Sequence, residues 1–338
     1  MQFKFLSEDF KVTELIDFKS SGKGNYFYYW LTKKNLSNSE IEKIFREKGL
    51  KVFSSGIKDK KAITKQLVCV EEKIPELKEE NFSLEFAGQA EKKLNIGSHK
   101  ANSFEIVLRD IPGEKILLLK KLLKNVKKQD FPNYFDEQRF GSKDVAQKLG
   151  RSFLEQKHEQ ALQIFLTSGS GKFSELVENS WGNWKKILHE IPVGFRKREV
   201  FEFLQKNPKN FEGAFKFVER GLLKRFLRQF QSFEFNAELR EQIEKNNSKQ
   251  KFVEILSEKF PVIVSKKSVK RFLSVSGFSE FSVPVLKRQS CFNVQDLKFS
   301  SFSEDEFFPG RKKMLVSFVL GKGVYATIFL KCLDYFLD

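Results

Sequence analysis

Cysteine is scarce in this chain. Three are found among 338 residues, Cys69, Cys291 and Cys332, far apart, with no Cys-x-x-Cys pair and no histidine nearby. That spacing suggests neither a disulfide framework nor a thiolate zinc site, and it fits a reducing compartment. Long hydrophobic runs are also missing: no stretch reaches about 18 apolar residues, so no membrane-spanning helix is expected. The opening Met1-Gln2-Phe3-Lys4-Phe5-Leu6-Ser7-Glu8-Asp9 turns acidic too soon for a signal peptide. Nor does any amphipathic stretch have the length and one-sided basic face that membrane-surface binding requires. The expectation is a cytoplasmic protein without membrane contact.

Positive charge and phenylalanine, by contrast, are plentiful. Hydrophobic residues make up 40% and include 39 phenylalanines, enough for a large core packed mainly with one ring type. A chain of this length exceeds one compact domain, so two domains, or one with an insertion, are expected. The formal net charge is +17, spread as pairs and triplets such as Lys60-Lys61, Lys127-Lys128, Arg196-Lys197-Arg198, Lys266-Lys267 and Arg311-Lys312-Lys313. A folded protein with distributed basic clusters fits a polyanionic partner; the alternative is a lysine-rich surface with no such role.

In chain order, Phe3 to Leu15 alternates as a strand, Ser20 to Asn25 forms a turn, and Tyr26 to Thr32 is an aromatic strand, so these two strands are expected to pair antiparallel. Ser37 and Glu40 form a capping box, and Ile41, Ile44 and Phe45 mark one face of a helix that Gly49 stops. Lys115 to Lys128 reads as an amphipathic helix, apolar on one side and lysine-rich on the other. From about Lys143 to about Pro284 the pattern is helical, with breaks at Ser168 to Gly171, Asn207-Pro208 and Asn246-Asn247-Ser248 and no repeat of fixed period. The chain then returns to an apolar strand, Met314 to Leu320, and to a glycine-rich entrance, Gly321 to Thr327, into a final helix. Strands and helices in this order indicate an α+β protein with a mixed sheet.

The most informative stretch is Ser54-Ser55-Gly56-Ile57-Lys58-Asp59-Lys60-Lys61-Ala62-Ile63-Thr64-Lys65-Gln66, a charged loop between apolar segments. Lysines on both sides of Asp59 favour the charged form of its carboxylate, which makes it a candidate nucleophile. An ordinary solvated hairpin tip has the same composition, and the residues alone leave both readings open.

Gly56-x-Lys58-Asp59-x-x-Ala62-x-Thr64-x-Gln66 resembles the signature of the TruD family of tRNA pseudouridine synthases, in which this aspartate is the nucleophile. Three further stretches are similar to the family's motifs. They are Glu8-Asp9-Phe10, the segment Phe131-Pro132-Asn133-Tyr134-Phe135-Asp136-Glu137-Gln138-Arg139-Phe140-Gly141, and Gly323-Val324-Tyr325-Ala326-Thr327. Asn95 to Arg109, with His99, is closer to archaeal and eukaryotic members. Asp136 stands where the family has glycine, which raises the question of whether the backbone there needs a positive φ.

The resemblance implies a catalytic domain at 1–145 and 285–338, with a mixed, mainly antiparallel sheet, and a TruD-type insertion domain at 146–284. It implies isomerisation of one uridine, by family position 13 of tRNA, flipped from the stack and attacked by Asp59. It places Phe10, Asn133, Phe135 and Tyr325 at the base, with Lys58 and Lys4 holding the aspartate or a phosphate. His99 is a candidate RNA contact only. No metal or organic cofactor, tRNA as the partner and a monomeric state are expected. The same chemistry on another structured RNA, or RNA binding without turnover, are the alternatives.

Overall fold

The computed structural model describes residues 1–141, 143–245, 251–263 and 269–337. The expected break at Asn246-Asn247-Ser248 and the Lys266-Lys267 pair lie outside the described residues. Ten strands form the main sheet: β1 (Phe10–Leu15), β2 (Tyr26–Lys34), β3 (Phe53–Ser54), β4 (Ile63–Val70), β5 (Leu77–Lys78), β6 (Phe82–Ala90), β7 (Ala101–Ile111), β8 (Gln295–Phe299), β9 (Ser303–Glu304) and β10 (Lys312–Gly321). Their order is β8-β10-β7-β1-β4-β2-β6-β5, with β9 beside β10 and β3 beside β4.

The pairing of β1 with β4 is parallel, with Lys11 opposite Ile63, and the other pairings of this sheet are antiparallel. The fold is therefore α+β with a mixed, mainly antiparallel sheet. The parallel joint determines the site. Two parallel strands begin at the same end, so the segment leading into β1, with Lys4, and the strand's first residue, Phe10, are brought to the loop leading into β4, with Asp59.

That joint also corrects an expectation. β1 and β2 do not pair with each other, because β4 lies between them and bonds to both. The turn between them instead crosses the end of β6, where Ser21 donates to the Gln89 carbonyl at 2.9 Å. Gly24, at φ +119°, lies so close to Ala90 that a Cβ would come within 2.3 Å of its backbone. The strand expected from Phe3 begins only at Phe10, after a 3-10 turn at Ser7–Asp9.

The aromatic strand β2 packs rather than displaying its rings. Tyr28 and Tyr29 are buried on opposite faces and donate to the carbonyls of Lys92 and Ile74, each at 2.7 Å. Helix α1 (Asn38–Glu47), capped by Ser37 and Glu40 as expected, closes one face with Ile41 and Phe45. Helices α2 (Ile116–Asn125) and α10 (Ala326–Leu337) bury Leu119, Leu123, Ile328 and Phe329 against β1, β7 and β10. In β10, Met314, Val316, Phe318 and Leu320 point inward while Leu315 is exposed, so only one face of that apolar strand is covered.

A second core is helical. It is formed by α3 (Lys143–Leu154), α4 (His158–Leu166), α5 (Lys172–Asn179), α6 (Trp184–Glu190), α7 (Arg198–Lys206), α8 (Phe211–Ala214) and the first half of α9 (Arg220–Glu244). The helical pattern expected to reach Pro284 ends at Glu244 among the described residues. Beyond it are the hairpin Phe252–Ile255 with Glu258–Pro261 and the strand Phe272–Val275 paired with Leu286–Gln289. Phe235, Leu239 and Ile243 of α9, with Val253, Ile255, Phe260 and Leu273, join the core of the main sheet. Helix α9 thus runs from one core into the other.

The contact between α3 and α9 depends on Gly150, where a Cβ would lie 2.1 Å from Cγ of Phe230. Gly150→Ala should therefore lower stability by about 1–3 kcal/mol through overpacking, although alanine is the better helix former. Thermal unfolding checks this, and an unchanged Tm would mean that the helices part without cost.

Candidate active site

Asp59 lies in the loop between β3 and β4, half-buried. Its Oδ2 accepts hydrogen bonds from Nζ of Lys4 and, at 3.1 Å, from Nε2 of Gln138. Among the described residues its Oδ1 has no hydrogen-bond partner. Lys4 sits at φ +77°, a left-handed turn that a lysine rarely adopts, and its ammonium also lies 4.3 Å from the centroid of the Phe10 ring. The loop backbone is held from below by Lys33, whose ammonium donates to the carbonyls of Asp59 at 3.0 Å and Leu36 at 2.6 Å. Burial presses the Lys33 ammonium down to about 8, and the nearby Asp59 charge opposes that shift.

Lys58 is elsewhere. Its ammonium is buried against Glu14 Oε1 at 2.9 Å and Asn102 Oδ1 at 2.8 Å, so Lys4 rather than Lys58 pairs with the Asp59 carboxylate. Adjacent residues of an extended loop point to opposite sides, and here one faces the cleft and the other the protein. Glu14 also accepts from the Leu67 amide at 3.1 Å and from the Ser55 hydroxyl. His99 belongs to this buried cluster, with Nδ1 at 3.0 Å from Ser55 Oγ and 3.6 Å from Glu14. Burial first, then the Lys58 cation, push its imidazole below the usual range. The cluster fixes the base of the loop, so the expectation that His99 contacts RNA is replaced by a place beneath the surface.

The opposite wall comes from the segment after Phe131. Asn133 is buried: its Nδ2 donates to the Gln289 carbonyl at 2.9 Å, and its Oδ1 accepts from Nη2 of Arg288 at 2.6 Å. An amide has two donors and two acceptor positions, so each end keeps one for a ligand. Phe135 is pinned through its backbone by Asn236 of α9, with both bonds at 2.8 Å, and its ring meets Tyr325 edge-on at 6.0 Å. Phe135, expected at the base, is buried, and the Arg288 guanidinium is centred 4.0 Å from its ring centroid. Tyr325 stands half-buried just before α10. Burial raises its phenol above the ordinary range, and the Arg139 and Arg288 cations oppose the rise. Asp136 has φ −97° and ψ 171°, extended backbone that any residue adopts, and its carboxylate pairs with Lys331 at 2.8 Å. The departure from glycine is accommodated.

Two of the basic residues expected to face RNA are used internally. Arg198 donates to the carbonyls of Leu188 and Ile191, and Lys197 to that of Leu166, at the C-terminal ends of α6 and α4. Cations there satisfy the orphan carbonyls and the helix dipole. Arg196, Arg225 and Arg228 are exposed.

Gln138, Glu14, Lys33 and Arg288 were given no role on sequence grounds. Glu14 and Lys33 do carry a signal there, since each is a charged residue at a strand position whose face is inward. Gln138 and Arg288 reach the site from the 3-10 turn Glu137–Arg139 and from the strand Leu286–Gln289, and no periodicity points to either.

The fold that carries these residues belongs to a known class. The whole chain superposes on the crystal structure of the "Putative tRNA pseudouridine synthase D (TruD)" from Methanosarcina mazei, with a TM-score of 0.66 at 22% identity, covering 100% of this chain and 93% of that one. The fold is that of a pseudouridine synthase. The family follows from sequence: the model of tRNA pseudouridine synthase D (TruD) matches residues 1–255, and the chain belongs to that family of isomerases. It is 28% identical to "Probable tRNA pseudouridine synthase D 1" of Methanococcus maripaludis, with 98% of both chains covered. It is 29% identical to "Probable tRNA pseudouridine synthase D" of Nanoarchaeum equitans, again over 98% of each. With "tRNA pseudouridine synthase D" of Aquifex aeolicus it shares 30% over 70% of this chain and 65% of that protein. No helix among the described residues is long and apolar enough to cross a membrane.

Proposed function

We propose that this protein isomerises one uridine of tRNA to pseudouridine with Asp59 as the nucleophile, and, by its family, that the uridine is number 13. The observation that carries the reading is the Asp59 carboxylate, held on one oxygen by Lys4 and Gln138 and open on the other. The uridine is flipped into the cleft, where Asn133 offers one donor and one acceptor to the uracil edge and Tyr325 offers its ring. Asp59 attacks, the N1–C1′ bond breaks, the uracil turns, and C5 bonds to C1′. C5 loses its proton and N1 gains one, so atoms and electrons balance without an oxidant or a net acid. Attack at the ribose, attack at the base and assistance to elimination all use the same oxygen. Phe10, whose ring is buried beneath Lys4, supports the floor of the cleft.

We take 1–145 and 285–338 as the catalytic domain and 146–284 as the insertion, with 146–230 supplying the insertion's own helical core. Phe235, Leu239, Ile243, Val253, Ile255, Phe260 and Leu273 pack on the catalytic side. The basic face of α9, with Lys224 and the exposed Arg225 and Arg228, then follows the tRNA backbone, since selecting one uridine requires reading RNA shape over a wide surface. Pseudouridine mapping of RNA from cells with and without the protein tests the reading. Loss of one tRNA pseudouridine on deletion, restored by the purified protein on an unmodified transcript, is expected. An unchanged map, or binding of tRNA without turnover, would sink it.

A further inference from the structure

The ring of Phe135 lies near two guanidinium groups, Arg288 at 4.0 Å and Arg139 at 5.4 Å from its centroid. The two come from separate parts of the chain and both are half-buried. Neither meets a carboxylate among the described residues. Arg288 donates to neutral oxygens: the Asn133 carbonyl at 2.9 Å, the Asn133 side chain at 2.6 Å and the Gly323 carbonyl at 2.9 Å. Nε of Arg139 donates to the Ser232 hydroxyl at 3.0 Å. Arg109 shows the contrast, since this buried arginine is met by Asp9, Asp305 and Glu306.

Desolvating a cation without a counterion is costly, and two side by side repel. Burial first lowers both guanidiniums, Arg288 to about 10, and Arg228 of α9 adds to the effect on Arg139. Both remain protonated at neutral pH, and the Asp59 and Asp136 carboxylates are already paired, with Lys4 and Lys331. The compensating anion therefore has to arrive with the ligand. A guanidinium fork suits phosphate, and a nucleotide seated against Asn133 and Tyr325 carries a phosphodiester on each side.

We propose that Arg139 and Arg288 form an anion subsite that grips a phosphodiester adjoining the flipped uridine. This rests on the functional reading above and adds a residue pair to it. Arg288 has a further part: by binding both Asn133 and Gly323 it joins the two walls of the base pocket.

The test is a double-mutant cycle between protein and RNA. Unmodified tRNA is made with one charge-neutral methylphosphonate linkage, 5′ or 3′ to the mapped target uridine, and binding is measured with wild type, Arg139→Gln and Arg288→Lys. For wild type, the neutral linkage at one side should weaken binding by about tenfold or more, the loss of one charged hydrogen-bonded contact. In Arg139→Gln the same linkage should cost less than about twofold, because the partner is already gone. That variant's slope of log affinity against log salt should be shallower by roughly 0.7 to 0.9. Arg288→Lys, which keeps the charge but not the fork, should lie between. Additive losses at both linkages, an unchanged salt slope, or no loss in wild type at either linkage would overturn the subsite while leaving turnover intact. Absence of wild-type turnover would instead remove the functional reading, and the subsite with it. Thermal unfolding of each variant separates lost contacts from lost fold.

Discussion

Asp59→Asn is expected to reduce turnover by at least about 10⁴-fold, to background, while tRNA binding stays within a few-fold of wild type. The amide keeps the shape of the carboxylate and can turn its oxygen to the Lys4 ammonium, preserving both of the bonds that Oδ2 now accepts. It cannot serve as the nucleophile. Stability should change by less than about 1 kcal/mol, because the Lys4–Asp59 pair is partly exposed, with 16% and 24% of the two side chains accessible, and such pairs are screened by water. Binding should if anything tighten, since removing a negative charge from a cleft meant for a polyanion lowers repulsion. Single-turnover assays on unmodified transcript, with binding measured on the same material, separate the two quantities. Appreciable product from this variant would remove Asp59 from the mechanism, and a parallel collapse of binding would mean that the loop had changed shape.

How far this site could be read from sequence depends on how each residue is held. The loop that carries Asp59 was legible because its residues form one contiguous charged stretch between two apolar segments, and local order survives folding. Helix α1 was legible for the same reason, its cap residues Ser37 and Glu40 being three apart. The pairing of β1 was not, since adjacency in sequence favours a hairpin with β2 and only the three-dimensional sheet shows β4 inserted between them. The direction of Lys58 was lost with it. Once β4 lies beside β1, Glu14 becomes a buried acid beneath the loop and draws in the nearest cation, leaving the cleft to Lys4. Lys197 and Arg198 show the limit of reading charge clusters as surfaces, since their donors are spent on helix-end carbonyls. Arg288 contacts Asn133 across 155 positions, a pairing no local pattern encodes.

Arg109→Met should be the most damaging substitution outside the cleft, lowering stability by about 3–5 kcal/mol. The guanidinium holds Asp9 with two bonds, at 2.8 and 2.9 Å, reaches Asp305 at 3.0 Å and lies over the Phe307 ring at 4.8 Å. Methionine fills much of the volume but leaves Asp9 and Asp305, both buried, without their cation, and stranded buried charge is costlier than the ion pair was favourable. Lysine should rescue little, because one ammonium cannot reproduce the fork that spans two carboxylates. The consequence reaches catalysis through the chain. Asp9 accepts from the Leu6 amide at 2.9 Å, and the backbone of Gln2 is bridged to that of Arg109, so this cluster anchors both ends of the segment that carries Lys4 to Asp59. At a temperature where the variant is still folded, turnover should fall while affinity for tRNA is nearly kept, since the lost anchor positions Lys4, the partner of the proposed nucleophile, and is itself buried. If Asp9→Asn and Asp305→Asn are then added to Arg109→Met, part of the stability should return, because the uncompensated charges are gone. Stability unchanged by Arg109→Met in urea unfolding, or no recovery in the triple variant, would show that the buried charges are relieved by some other route.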